Sequence, residues 1–261
     1  TPGNFTFRTR EFEQMEVEYF FDAEKSDWQT MYNEWKELGW SFLVETLGIR
    51  PEKIRFRDHE ADELSHYSKG TTDIEYAFPW GWGELCAAAA YRTDYDLTQH
   101  AKFSGEDLRY TDPNDPTRKF IPHVIEPSFG VDRTLLALLL SSYTEEKAPT
   151  ADGGEDIRVV MKFPYQLSPI KIALLPLSKK EELSSIAQSL ARQFAKQWRV
   201  DYDETQSIGK RYRRQDEIGT PYCVTVDFDS LNDHCVTVRD RDTMEQVRVT
   251  IDELEDWFEQ K

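Results

Sequence analysis

Cysteine is scarce and dispersed. Cys86, Cys223 and Cys235 stand alone, with no C-x-x-C pair. That spacing argues against a zinc site or a disulfide framework, and it fits a reducing compartment. Basic residues are outnumbered, 32 Lys and Arg against 49 Asp and Glu, for a formal charge of −17. A polyanion repels a polyanion, so indiscriminate binding to nucleic acid is disfavoured, while a local basic patch on an acidic body is still allowed. No apolar run approaches the ~20 residues that a membrane span needs, so no membrane association is expected. The start, Thr1-Pro2-Gly3-Asn4, is a turn and not a charged segment followed by an apolar one, so no signal peptide is expected. An initiating Met is also missing, as in a fragment or a trimmed product, which leaves room for a targeting segment upstream. No internal repeat is found.

What is there suffices for one large or two ordinary domains. The 261 residues are 39% hydrophobic and 13% aromatic, enough for a real core. The densest stretch is Glu126-Pro127-Ser128-Phe129-Gly130-Val131-Asp132-Arg133, which runs into Thr134-Leu135-Leu136-Ala137-Leu138-Leu139-Leu140, the most apolar run in the chain. Read alone, it places polar groups at the start of a buried helix. A helix N-terminus favours anions, Gly130 permits close approach, and Arg133 adds a fork suited to phosphate. A plain helix cap with a surface arginine explains the same residues equally well.

Along the chain, residues 1–21 read as a strand emerging from a turn, and the charges between Arg8 and Glu16 read as a lined pocket. A capping box at Ser26–Gln29 opens a helix over residues 27–46, closed by Gly48 and Pro51. Strands are expected at 54–57 and 72–78. His59 and His66 match no helical ligand pair, so the segment between the strands reads as a solvated loop before a metal site. Cys86-Ala87-Ala88-Ala89-Ala90 reads as a small-residue helix. Residues 112–117 are turn-rich, 122–125 a short strand, 148–155 a polar linker or exposed loop, and 159–163 a strand. From residue 166 the pattern becomes strand, helix, strand, basic helix, strand, hairpin and final helix, a compact α/β domain with a mixed sheet.

Four segments in order carry a specific resemblance. RTREFEQMEVEYF resembles the second half of motif 2 of class II aminoacyl-tRNA synthetases, in the form used by the homodimeric glycyl-tRNA synthetase family. GWGELC and EPSFGVDRTLLALL resemble the segments that close that site, the second being motif 3. IGKRYRRQDEIGTPYCVTVDF resembles the anticodon-binding domain that follows. The resemblance implies an α+β catalytic domain on an antiparallel sheet over residues 1–165. It implies an α/β anticodon-binding domain with a mixed five-stranded sheet over residues 166–261. It also implies a cytoplasmic enzyme, homodimeric when intact, that activates glycine with ATP and Mg2+ and transfers it to the 3′ end of the glycine tRNA.

Carried over by position, the resemblance makes Arg8, Glu84 and Arg133 the catalytic group. The ATP-binding set is Phe7, Arg8, Thr9, Arg10, Glu11, Phe12, Glu84, Leu85, Gly130, Val131, Asp132 and Arg133. Phe12 stacks on adenine, and Glu84 stands by Mg2+. The glycine set is Phe12, Glu13, Gln14, Met15, Glu16, Arg92, Glu126 and Ser128, with Glu16, Glu126 and Ser128 receiving the ammonium and Arg92 the carboxylate. The chemistry agrees. Attack of a carboxylate on a phosphate joins two anions, so arginine forks and an acid for Mg2+ are needed more than a strong base. Motif 1 and the first strand of motif 2 are absent, and Cys86-Ala87-Ala88 stands where the family often has a bulky aromatic and glycine. These 261 residues alone are therefore expected to show little or no activation.

The basic helix Lys210, Arg211, Arg213 and Arg214 reads either as a solvated face paired with Asp216 and Glu217 or as a tRNA contact, with Tyr212 available for stacking. Two other readings compete with the ligase. One is a non-catalytic synthetase-like subunit, which would be expected to lose Arg8, Glu84 or Arg133. The other is a free-standing adenylating enzyme for another small amino acid, which the anticodon-type domain disfavours.

Overall fold

The structure is a computed structural model that describes residues 1–149 and 153–261. The chain parts into two compact units, Thr1–Ser141 and Ser142–Lys261.

The first unit contains β1 (Gln14–Glu16), β2 (Tyr19–Phe21), α1 (Trp28–Ser41), β3 (Ile54–Asp58), β4 (Gly70–Phe78), β5 (Gly81–Thr93), α2 (Tyr95–Ser104), β6 (Tyr110–Thr111), β7 (Lys119–Phe120), β8 (His123–Gly130) and α3 (Val131–Ser142). Its main sheet has the order β1-β8-β5-β4-β3, with β2 also on β8, and every pairing is antiparallel. Asp27 caps α1, its carboxylate accepting from the N–H groups of Gln29 and Thr30. The helix then loosens into a π turn over Phe42–Thr46. Trp28, Met31 and Trp35 of α1 pack on Phe21, Tyr91 and Ile125, and Trp28 stacks on Tyr91 at 4.5 Å.

Three expectations fail here. The alanine run is not a helix. It forms the centre of β5, where Ala88 and Ala89 are fully buried. Packing decides this over propensity, because α1 lies so close that a Cβ on Gly39 would stand 3.4 Å from Phe129 and 3.8 Å from Ala88. Register shifts between Ala87 and Ala90 mark a bulge in the same strand. Residues 1–21 are not one strand. Asn4 and Phe5 take positive φ into a single 3-10 turn over Phe5–Phe7, and regular pairing begins only at Gln14. Finally, β8 extends through Gly130, so Glu126 and Ser128 sit on a strand, and the helix begins only at Val131.

The second unit contains β9 (Tyr143–Pro149), β10 (Glu155–Met161), β11 (Ile172–Pro176), α4 (Glu181–Phe194), β12 (Val200–Tyr202), α5 (Ile208–Ile218), β13 (Tyr222–Val226), α6 (Ser230–Asp233), β14 (Cys235–Asp240), β15 (Gln246–Thr250) and α7 (Leu254–Glu259). Its five-stranded sheet has the order β12-β11-β13-β14-β15. β11 is parallel to both its neighbours, and the last two pairings are antiparallel. This is the mixed sheet expected from the sequence. Leu183, Ala187, Leu190 and Phe194 of α4 recur at helical spacing and close its core with Ile172, Leu174, Val224 and Phe258. The β9–β10 hairpin packs with this unit, so the compact division falls upstream of the 165/166 boundary expected. The polar linker expected over 148–155 falls partly on Thr150–Asp152, which lie outside the described residues; the flanking residues Ala148, Pro149 and Glu155 are strand.

Candidate active site

Antiparallel register builds the site. In β1 and β8, Gln14 lies opposite Gly130 and Glu16 opposite Ser128, so these four share one face, and Glu126 continues it along β8. The Gln14 amide reaches the Ser128 hydroxyl across the pair. Met15 and Phe129 point the other way. Met15 lines an apolar groove with Val17, Trp35, Leu38, Phe42 and Phe129. Alternation therefore removes Met15 from the glycine set.

A cavity of about 390 Å³ opens on the polar side of this sheet. Its walls bring together Phe7, Arg8, Thr9, Phe12, Glu13, Gln14, Glu84, Leu85, Ser128, Gly130, Asp132 and Arg133, all expected from the sequence, and add Thr6, Cys86 and Ala87. Arg10, Glu11 and Val131 are not on the wall. Two reciprocal bonds tie the entrance loop to α3. The Val131 N–H donates to the Glu13 carbonyl at 2.9 Å, and the Glu13 N–H donates to the Asp132 carboxylate at 3.1 Å. Arg133 is oriented by carbonyls, donating from Nε to Phe7 at 3.1 Å and from Nη1 to Glu84 at 2.9 Å. Its guanidinium lies over the Phe7 ring at 4.4 Å, and the Glu84 carboxylate is 3.7 Å away. Arg8 and Phe12 are exposed at the mouth, with Phe12 64% accessible.

The remaining expected residues form a second cluster. Glu126 is buried and paired with Arg92, which also donates to Asp96 at 2.8 Å and lies over the Tyr67 ring at 4.5 Å. Glu18 joins them. Burial, and then the charge of Glu126, hold its carboxyl above the usual carboxylate range, although the Arg92 charge pulls the other way. Glu16 and Asp96 also push it up. Two acids on Arg92, with Glu18 and Glu16 beside them, favour a cation. Sequence reading passes over Glu18 and Asp96. The alternation Glu16, Glu18 is a usable signal for the first, and nothing local marks the second.

No group of three or more His, Cys, Asp or Glu suited to a metal occurs among the described residues. Glu84 is a single, half-exposed carboxylate on the cavity wall. Such a donor fits Mg2+ that arrives with a polyphosphate, since that ion is usually held by one or two carboxylates plus phosphates. It does not fit a resident ion. His59 is instead bonded to Asp73 at 2.7 Å and His66 to Tyr95 at 3.0 Å.

In the second unit the basic helix divides. Arg211 is 2% exposed and donates to the carbonyls of Pro176, Asp203 and Leu177. Burial thus removes it from any RNA contact, and it acts as a brace for the ends of β11 and β12. Arg214 is paired with Asp203 and bonded to Thr205. The Tyr212 hydroxyl is bonded to Thr225 at 2.6 Å, and its ring lies under Arg239, so it is not available to stack on a base. Lys210 is exposed, and Arg213 is partly so.

The comparisons with known proteins fit this geometry. Residues 171–261 match the family described as "Anticodon binding domain". The glycine--tRNA ligase of Clostridium acetobutylicum is 56% identical over 100% of this chain and 54% of its own length. That of Clostridium perfringens is 56% identical over 97% of this chain and 53% of its own length, and that of Staphylococcus epidermidis is 56% identical over 100% and 54%. Among solved structures, a prolyl-tRNA synthetase from Cryptosporidium parvum, complexed with L-proline and AMP, aligns with a TM-score of 0.65 at 18% identity, over 98% of this chain and 51% of its own. The antiparallel sheet with its arginine-flanked cavity, followed by a mixed five-stranded sheet, is the fold of a class II aminoacyl-tRNA synthetase. Along its whole length the chain is similar to glycine--tRNA ligases, and it spans about half the length of the curated relatives it matches.

Proposed function

We propose that this chain carries the nucleotide and amino-acid sites of a glycine–tRNA ligase together with its anticodon-binding domain. The observation that carries the reading is the placement of an arginine-bearing cavity and an acid cluster on one face of one sheet. The cavity has arginines for a triphosphate, and the Glu126 cluster beside it has acids for an ammonium. Arg8 and Arg133 hold the ATP phosphates, Phe12 stacks on adenine, and Glu84 holds Mg2+, which would neutralise phosphate charge when bound. Glu16, Glu18, Glu126 and Ser128 receive the glycine ammonium, and Arg92 offers Nη2 to the carboxylate. A carboxylate oxygen of glycine bonds to the α-phosphorus as the bond to pyrophosphate breaks. The tRNA 3′ hydroxyl then attacks the carbonyl, and AMP leaves. No strong base is needed in the first step, because a carboxylate is already a nucleophile. Selecting glycine requires that any side chain on its Cα be refused, which sterics does well. We assign a homodimer and a cytoplasmic setting to the whole enzyme on family grounds.

Glycine-dependent exchange between ATP and pyrophosphate, measured on a protein with the full length of the relatives, tests this reading. Exchange with alanine or serine but not glycine would overturn it. The 261 residues alone are expected to show little or no exchange, and a rate near that of the longer protein contradicts that expectation.

For tRNA, we assign the contact to Lys210 and Arg213. A second feature supports this end of the sheet. Lys180 Nζ stands 4.7 Å from the ring of Phe228, an exposed aromatic beside a cation on which a base can stack. Replacing Lys210 and Arg213 by alanine is expected to flatten the dependence of tRNA binding on salt by about 0.7 in logarithmic slope for each phosphate left unneutralised. An unchanged slope removes both residues from the interface.

A further inference from the structure

The orientation of Arg133 rests on an aromatic stack that a single glycine makes room for. Phe7 lies under the guanidinium, and its carbonyl accepts from Arg133 Nε. The Phe7 ring meets Phe78 edge-on at 4.9 Å and Trp80 at 5.4 Å, and Phe78 and Trp80 stack on each other at 5.0 Å. Gly83, in β5, faces this stack. A Cβ there would stand 3.1 and 3.2 Å from the Phe7 ring and 3.2 Å from the Phe78 ring, tighter than ordinary contact. Phe78 is buried and held in β4, so the less buried Phe7 is the ring that must yield.

We propose that Gly83 and Phe7 are positioning residues for Arg133. Gly83 admits the Phe7 ring, and Phe7 fixes the guanidinium through its face and its carbonyl together. The significance for ATP rests on the reading given above; the positioning itself does not.

The test follows the Arg133 Nε–H resonance by NMR, identified by its loss in Arg133→Lys. In Gly83→Ala the resonance is expected to shift, and its protection from exchange with water to fall about tenfold. Phe7→Leu is expected to lower protection too, by taking the ring from under the guanidinium. In the double variant the methyl enters space the ring has left, so protection is expected to fall no further than in Phe7→Leu alone, a non-additivity that general destabilisation does not produce. An unchanged resonance in Gly83→Ala, or losses in the double variant that simply add, overturn the proposal. If Gly83→Ala fails to fold, Phe7→Leu alone decides, and unchanged protection is the adverse result. In parallel, the dissociation constant for ATP in Gly83→Ala is expected to rise about tenfold, since small misplacements of binding groups are felt strongly. Unaltered ATP binding in Arg133→Lys would count against the reading of the cavity and leave the positioning arms intact.

Discussion

Glu18→Gln is expected to lower kcat/KM for glycine by about a hundredfold in a protein with the full length of the relatives, since a site proposed to receive an ammonium loses a charge-assisted hydrogen bond when one anionic partner is neutralised. The structural basis is the pairing of Arg92 with Glu126 and Asp96, with Glu18 and Glu16 beside them. Glu18 also predicts a pH signature. Burial and Glu126 raise its pKa in the folded protein above its unfolded value. Its charged form is therefore disfavoured by folding, and that penalty, present above the raised pKa, is relieved as the pH falls through it. An arriving ammonium favours the carboxylate and lowers the pKa again. Glycine binding should then release protons, increasingly so as the pH is lowered toward the raised pKa. Calorimetry in two buffers of different ionisation enthalpy reads this directly. Equal heats in both buffers at every pH as the pH is lowered, or a Glu18→Gln enzyme within about threefold of the parent, would remove Glu18 from the site.

The second large effect concerns stability. Asp216 is fully buried on α5 and accepts from two buried arginines, Arg158 at 3.2 Å and Arg239 at 2.8 and 3.1 Å. Arg158 is itself paired with Glu146 and bonded to the Arg241 carbonyl at 2.7 Å. Breaking such an arrangement from one side leaves uncompensated charge in a low-dielectric interior. Asp216→Ala is expected to cost about 3–5 kcal/mol of the stability of the second unit in urea. Replacing the three partners together by apolar residues, Asp216→Leu with Arg158→Met and Arg239→Met, is expected to recover most of that loss. A loss under about 1 kcal/mol in Asp216→Ala would mean that water or a neighbouring acid compensates the arginines.

Where the sequence is legible, the signal is local and periodic. α4 shows an apolar residue at every turn, and the strands of the second unit show β-branched alternation. The wall of the cavity is legible through the resemblance to family motifs, which places arginine, acid and aromatic at residues 8 to 12 and acid and arginine at 132 and 133. The failures share a cause. The alanine run becomes a strand because α1 presses against it, and no residue in the run carries that information. Met15 belongs to the glycine set by its place in a motif, yet strand alternation sends it to the opposite face. Arg211 and Tyr212 look like RNA contacts because basic and aromatic residues on a polar helix usually face solvent. Their partners, the carbonyls of β11's end and Thr225 of β13, are brought near only by the fold. Glu18 escapes notice because its partners Glu126 and Asp96 lie far along the chain.

The two-sided character of β8 limits how this sequence can change in length. Its residues alternate between the acid face of Glu126 and Ser128 and the apolar face of Ile125 and Phe129, and it pairs with β1 and β2 on one edge and β5 on the other. A single inserted residue in the strand would exchange the faces, driving Glu126 into the layer under α1 and Phe129 toward the cavity. The turn at residues 112–117, by contrast, joins two short strands, where extra length adds only a small closure entropy. Insertions and deletions among functional variants are thus expected to collect in that turn and to be absent from 123–130, a pattern that a library of random single-codon insertions would display.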